Sequence, residues 1–122
     1  MAKNDDKVVI MATHGPDDRE LASIPFVMAA AAVASDLEVV MGFQGEGCRL
    51  VQKGVAEKIS APEFAPLKGL LDDVHELGGK FFVCGPCVKS RHIEDELVDG
   101  AEVVAAARFV SEISSAGTTL VY

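Results

Sequence analysis

Tryptophan is absent from this sequence of 122 residues, and the other aromatic side chains are only six phenylalanines and one tyrosine. Basic residues are also scarce: 11 lysines and arginines stand against 19 aspartates and glutamates, which gives a net charge of −8. Proteins that bind nucleic-acid phosphates need clustered lysine and arginine side chains. The charge balance therefore argues against a nucleic-acid partner.

Long apolar runs are absent as well. The longest, from Ile24 to Ala34, contains Pro25 and is much shorter than the roughly 20 residues that span a bilayer. The first residues, MAKNDDK, lead directly into an apolar segment and do not resemble a signal peptide. Since 49% of the residues are hydrophobic, the chain can still form a core. We therefore expect one cytoplasmic domain over residues 1–122, with no membrane span.

Cysteines are few and odd in number. The chain has three, which is typical of reduced, reactive or metal-bound thiols rather than of a disulfide framework. Two of them form the tetrapeptide Cys84-Gly-Pro-Cys87, the redox motif of thioredoxins. A thioredoxin has this motif early, after a tryptophan, and a cis-proline loop later in the chain. Because this chain has no tryptophan and no proline after Cys87, the motif must belong to a different fold.

Apolar, β-branched segments alternate with segments of helical periodicity. Strands are predicted at residues 7–12, 37–43, 80–84, 101–107 and 118–122. Helices are predicted at about 17–35, in a short segment ending near 54, at 66–77, as helix plus turn at 88–100, and at 108–117. Pro25 predicts a kink or a late start in the first helix. This alternation of strands and helices predicts a three-layer α/β fold with a doubly wound, mostly parallel five-stranded sheet and helices on both of its faces.

Unusual residues follow the first three predicted strands. Thr13-His14-Gly15 follows the first, Gly45-Glu46-Gly47-Cys48 the second, and Cys84 and Cys87 the third. Chemistry in such sheets gathers beyond the carboxyl ends of the strands, so we expect these side chains to share one edge. The simpler interpretations are core packing for Cys48 and a hydrogen bond within its own loop for His14.

Cys84 is predicted to be the reactive thiol. It ends a strand where a helix begins, and free backbone N–H groups at a helix start favour a thiolate, which predicts a lowered pKa. Lys89 and Arg91 add positive charge nearby, and Gly85 lets a substrate sulfur approach the backbone. A thiolate in this setting suits attack on sulfur. Cys87 is predicted to be either a resolving thiol or a packing residue of the first helical turn.

The chain is similar to the DsrE/DsrF-like family of sulfur-relay proteins, which includes the TusD-type subunits. The resemblance rests on the segments KVVIMATHGPDD, VVMGFQGEGCRLVQKG, FFVCGPCVKSRHI and TTLVY. It implies a flavodoxin-like domain that assembles into homo-oligomeric trimers or hexamers and needs no organic cofactor. It also implies that Cys84 carries sulfane sulfur as a persulfide, between a sulfur donor protein and an acceptor protein.

Cys87 departs from the simplest one-cysteine pattern of the family and leaves other functions open. A thiol three residues away could attack a persulfide on Cys84 and release sulfide, or the pair could act as a thiol-disulfide redox couple. A third interpretation is non-catalytic: an oligomeric scaffold, or a zinc site built from Cys48, Cys84 and Cys87 with His14 or His92.

Overall fold

A computed structural model describes residues 3–122 as a single five-stranded sheet with the order β4-β3-β2-β1-β5. The strands are β1 (Asn4–Ala12), β2 (Glu38–Phe43), β3 (Lys80–Cys84), β4 (Ala101–Val104) and β5 (Ala116–Val121). The helices are α1 (Arg19–Ala34), α2 (Leu67–Glu76), α3 (Gly85–Ser90) and α4 (Ala106–Ser114), with 3-10 segments at Gly45–Val51 and Ala56–Lys58. All four strand pairings are parallel, so the predicted flavodoxin-like α/β fold is confirmed. Over the same residues, no helix has both the length and the apolarity to cross a membrane.

Helices cover both faces of the sheet, as predicted. The chain steps in one direction from β1 to β4, so right-handed crossovers place α1 and α2 on the same face. It then returns to β5 on the far side of β1, which places α4 on the opposite face. Because successive side chains of a strand point to opposite faces of the sheet, each face has its own hydrophobic core. Ile10 lies in the core on the α1 and α2 side, and its neighbour Val9 lies in the core on the α4 side.

Three phenylalanine rings fix α1 on the strands that lead to the cysteines. Phe26 of α1, Phe43 of β2 and Phe81 of β3 are buried, with ring centroids 5.7–6.3 Å apart. Two of the three pairs are edge-to-face, a favourable geometry for aromatic rings. The carboxyl ends of β2 and β3 are therefore held next to each other by the core beneath them.

The helix α4 covers the second face of the sheet and is attached to it by apolar packing and by ion pairs. Phe109 is the buried apolar residue of α4, and Arg108 lies over the Phe82 ring, 4.4 Å from its centroid. Lys7, in the middle of β1, is only 7% exposed. Its Nζ lies 2.7 Å from Glu112 Oε1 and donates to Ser115 Oγ at 2.8 Å. A buried charge thus connects α4 to the sheet.

Several sequence-based boundaries were wrong. The helix predicted from residue 88 begins already at Gly85; it ends at Ser90 and a turn follows, as the predicted helix plus turn allows, and His92 in the turn has a left-handed φ of 56°, which does not continue a helix. The fourth strand ends at Val104 and α4 begins at Ala106, since alanine favours helix over strand. The late start of α1 is also wrong: Asp18 Oδ1 accepts a hydrogen bond from Leu21 N at 3.0 Å and begins the helix well before Pro25.

Candidate functional site

Cys84 and Cys87 lie at the carboxyl edge of the sheet, where β3 runs directly into α3. Cys84 is the last residue of β3 and Cys87 lies in the first turn of α3. Both thiols are free and partly buried. Cys84 packs against the core on the α4 side, whereas Cys87 packs against the core on the α1 and α2 side. The pair therefore stands at the sheet edge between the two layers of helices.

The Cys84 thiol does not have the lowered pKa that its position at a helix start predicted. Burial raises the pKa of Cys84, and a hydrogen bond between its side chain and that of Cys87 raises it further. The backbone N–H of Cys87 and the charge of Arg91 act in the opposite direction but are outweighed. The expectation was wrong because α3 has only six residues, too few for a strong helix dipole, while the thiol is shielded from water.

The Cys87 sulfur is held by the loop that follows β2. The backbone N–H of Gly45 donates a hydrogen bond to Cys87 Sγ at 3.2 Å. Gly45 has φ of +56°, a left-handed conformation that glycine adopts without strain. Sequence analysis did not assign Gly45 a role, although the alternating glycines of Gly45-Glu46-Gly47 directly after a strand are a signal of such a loop.

Arg91 is the cation fixed beside the thiol pair. Its Nη1 donates to the backbone oxygen of Cys87 at 3.3 Å, and its Nε pairs with Glu46 Oε1 at 2.9 Å. The other carboxylate oxygen of Glu46 is 3.2 Å from Arg49 Nε. The hydrogen bond that Arg91 donates to Glu46 is the main cause of the raised pKa of Arg91. Glu46, to which the sequence analysis gave no role of its own, therefore fixes the position of the Arg91 guanidinium.

Cys48 is fully buried beneath this site. Its side chain is 0% exposed and belongs to the same core as Leu50 and Val51. Burial raises the pKa of Cys48, and the nearby Arg91 only partly opposes the increase. Cys48 is therefore a core thiol next to the Cys84/Cys87 pair, in agreement with the packing interpretation.

His14 and Gly15 belong to the same edge but do not contact the thiols through a described hydrogen bond. His14 Nδ1 lies 3.0 Å from Asp17 Oδ2, and Gly15 N donates to Asp17 Oδ1 at 2.7 Å. These bonds lower the pKa of Asp17. Gly15 packs directly on the next loop, since a Cβ there would collide with the carbonyl oxygen of Glu46. Both residues thus shape the loop that supports Glu46.

Gly85 and Lys89 lie on the other side of Cys84 from the Gly45 loop. With Pro86 and residues 103–105 they line an open pocket of about 340 Å³. Lys89 is exposed. Among the basic side chains named in the sequence analysis, Arg91 is the one whose charge acts on the pKa of Cys84. Gly85 packs against the end of β4, since a Cβ there would lie 3.4 Å from Val103 Cγ1 and from the carbonyl oxygen of Val104.

The arrangement does not favour a zinc site. Among residues 3–122 there is no group of three or more histidine, cysteine, aspartate or glutamate side chains placed to hold a metal ion. Cys48, which the proposed ligand set requires, is enclosed in the core. What the site offers chemically is two adjacent thiols, a backbone donor and a fixed guanidinium.

Comparison with known proteins gives a family and a fold. A sequence profile of the DsrE/DsrF-like family matches residues 6–122. The protein MJ0760 of Methanocaldococcus jannaschii is 30% identical over 110 residues, which cover 89% of this chain and 40% of MJ0760. The chain thus spans less than half the length of that relative. MJ0989 of the same organism is 27% identical over 120 residues, covering 95% of this chain and 99% of MJ0989.

Two solved structures share the fold across almost the whole chain. The ychN protein from E. coli has a TM-score of 0.80 at 20% sequence identity, with both chains fully covered. The MTH1491 protein from Methanobacterium thermoautotrophicum has a TM-score of 0.69 at 15% identity, covering 95% of this chain and 98% of its own. At these identities the similarity concerns the fold alone.

Proposed function

Because the chain belongs to the DsrE/DsrF-like family, we propose that it is a sulfur-relay protein that carries sulfane sulfur as a persulfide on Cys84 and passes it to an acceptor protein. One observation carries the proposal: two free, partly buried thiols lie where the inner strand β3 passes into α3, at the carboxyl edge of the sheet. This edge is where the fold places its chemistry. The pair also has a fixed cation, Arg91, beside it.

The transfer consists of two substitutions at sulfur. In the first, the Cys84 thiolate attacks the outer sulfur of a donor persulfide, a new S–S bond forms, and the donor leaves as its thiolate. In the second, an acceptor thiolate attacks the outer sulfur on Cys84, and the Cys84 thiolate leaves. The partial burial of Cys84 limits the access of water to the persulfide.

A second function, thiol-disulfide exchange, is favoured by the hydrogen bond between Cys84 and Cys87. Two thiols in hydrogen-bond contact can close a disulfide with little movement. In that case the pair would cycle between dithiol and disulfide and would hold no sulfane sulfur.

The proposed partners are a sulfur donor protein, an acceptor protein and further copies of this chain, as trimers or hexamers. Apolar side chains stand exposed on β4, α4 and β5, where Val103 is 50%, Val110 64% and Val121 68% exposed. Exposed apolar patches of this kind are typical of association surfaces. The proposed setting is the reducing cytoplasm, in which the three thiols stay free.

Intact-mass spectrometry after treatment with a polysulfide donor tests the proposal. We expect the reduced wild type to gain sulfur-atom masses and to transfer the sulfur to an added thiol acceptor, and Cys84→Ser to lose this transferable sulfur. A Cys84→Ser/Cys87→Ser double variant, which retains only Cys48, measures the background. If the wild type instead loses two hydrogens and gains no sulfur, the redox function replaces the relay function.

A further inference from the structure

The open pocket between α3 and the end of β4 lies beside Cys84. Its volume is about 340 Å³, at the lower end of the range of about 300–1,000 Å³ that is typical of small-molecule sites. Gly85, which follows Cys84 in the chain, and Val104, which is the register partner of Cys84 in the neighbouring strand, both line the pocket. Cys84 also packs against the buried cluster that contains Val104. A molecule in the pocket is therefore adjacent to Cys84 at the carboxyl edge of the sheet.

The lining of the pocket is apolar except for one cation. Five of the six lining residues have no polar atom in the side chain; they are Gly85, Pro86, Val103, Val104 and Ala105. The sixth is Lys89. Because Val103 is 50% exposed, part of the apolar surface is open to an incoming molecule. Such a lining fits a ligand that combines an apolar body with a single anionic group.

The charge of Lys89 is not neutralised by a neighbour. Across residues 3–122, no ion pair involves Lys89, and no carboxylate lines the pocket. Arg91, by contrast, is paired with Glu46 Oε1 at 2.9 Å and donates to the backbone oxygen of Cys87 at 3.3 Å. In a chain with a net charge of −8, Lys89 is therefore the cation at this edge that is available to an anionic ligand.

We propose that the pocket binds a small organic persulfide that carries a carboxylate, and that such a molecule can load Cys84 with sulfur in place of a donor protein. The inference rests on the proposed function. The carboxylate pairs with Lys89, the carbon chain lies against Val103 and Ala105, and the sulfur end reaches Cys84. Inorganic polysulfide has no carbon chain and would gain nothing from the apolar lining.

The loading step is one substitution at sulfur. The Cys84 thiolate attacks the outer sulfur of the bound persulfide, a new S–S bond forms, and the S–S bond within the donor breaks. The organic part leaves as its thiolate, and the outer sulfur keeps its hydrogen. One S–S bond replaces another, so the step needs no oxidant or reductant.

Loading kinetics with a matched pair of donors test the inference. The donors are the persulfides of mercaptopropionate and of mercaptopropionamide, which differ by one negative charge. Each rate is divided by the rate at which the same donor reacts with β-mercaptoethanol, a neutral thiol. At low donor concentration, we expect the corrected rate of the wild type to be about fivefold higher with the carboxylate, the upper end of what an exposed ion pair gives. Added salt should reduce this preference.

Lys89→Gln should remove the preference, so that both donors load Cys84 at the same corrected rate. Lys58→Gln is the matched control, because Lys58 is exposed, does not line the pocket and has the same charge; it should retain the fivefold preference. An effect of Lys89 on the thiol itself would slow both donors equally and leave their ratio unchanged. An unchanged ratio in Lys89→Gln, or a ratio lost equally from both variants, overturns the inference.

The failure of this inference and the failure of the relay function give different results. If the wild type takes sulfur from inorganic polysulfide but does not prefer the carboxylate donor, the pocket inference is overturned and the relay function stands. If the wild type takes sulfur from no donor, the relay function fails and the donor role fails with it. The anion site is then decided by NMR titration with S-methyl mercaptopropionate, which cannot donate sulfur. Shifts of the amides of residues 103–105 that are lost in Lys89→Gln support the site, and an absence of shifts in the wild type overturns it.

Discussion

Replacing Glu112 by alanine is expected to lower the free energy of unfolding by about 3 kcal/mol, the lower end of the range for breaking a buried ion pair. The substitution leaves the Lys7 ammonium, 7% exposed within β1, without its carboxylate. Ser115 Oγ would remain as a partner, but a neutral hydroxyl offsets little of the cost of a buried charge. Urea denaturation at neutral pH measures the change.

The matched variant Glu112→Gln keeps the size of the side chain but removes its charge. Comparing how the stability of this variant and of the wild type depends on pH therefore isolates the effect of the carboxylate charge. Burial raises the pKa of Glu112, but hydrogen bonds from Lys7 and Arg108 outweigh it, so the pKa in the folded state lies below its usual value. The carboxylate therefore contributes its full stabilisation above the unfolded pKa of about 4.3, and the contribution is lost as the pH falls through the folded pKa. The stability of the wild type should thus fall more steeply than that of Glu112→Gln between about pH 5 and pH 3.

Two results would contradict this account of the α4 face. A Glu112→Ala variant as stable as the wild type would mean that Lys7 reaches water without its partner. Parallel pH profiles for the wild type and Glu112→Gln would mean that the carboxylate gains nothing from Lys7 and Arg108.

The sheet could be predicted from the sequence because each strand contains a short apolar run, several of them rich in β-branched residues. The segment KVVIMA is compatible with a buried parallel strand and with little else. The strand order could not be predicted in the same way, since it depends on how the helices pack. The start of α3 at Gly85 was missed because Gly85 and Pro86 were taken as a turn, whereas a proline is well tolerated in the first turn of a helix.

The site was predicted as a set of residues but not as a set of interactions. The convergence of Cys84 and Cys87 with the loop after β2 follows from parallel strands. The lowered pKa of Cys84 was inferred from a helix start alone, whereas burial and the contact with Cys87 decide the direction of the shift. The roles of Gly45 and Glu46 depend on a backbone N–H and on arginines that approach from different elements. Spacing in a sequence does not reveal such contacts.

Gly47→Ala is expected to lower the free energy of unfolding by about 3 kcal/mol, the upper end of the range for overpacking. A Cβ at residue 47 would collide with the carbonyl oxygen of Ala12 and would lie 2.7 Å from its carbonyl carbon and 3.1 Å from Thr13 Cα. These are backbone atoms at the end of β1, which cannot rotate away as a side chain would. The 3-10 segment would have to move off the sheet instead.

Gly69→Ala is the matched control, because the substitution is the same and the surroundings are empty. Gly69 is exposed within α2, and a Cβ there would have no neighbour within 4 Å. Alanine should raise the free energy of unfolding by about 0.5–1 kcal/mol, since alanine has a higher helix propensity than glycine. Thermal or urea denaturation of the two variants should therefore give changes of opposite sign.

The Gly47→Ala variant also connects packing to chemistry. Gly45, the donor to Cys87 Sγ, begins the segment that the new Cβ displaces, so the hydrogen bond to Cys87 should be lost and sulfur loading of Cys84 should slow even in the fraction that stays folded. A destabilised Gly47→Ala that loads sulfur at the wild-type rate would show that the hydrogen bond from Gly45 to Cys87 is not needed for loading. The rate measured well below the melting temperature decides this, because there the variant and the wild type are both folded.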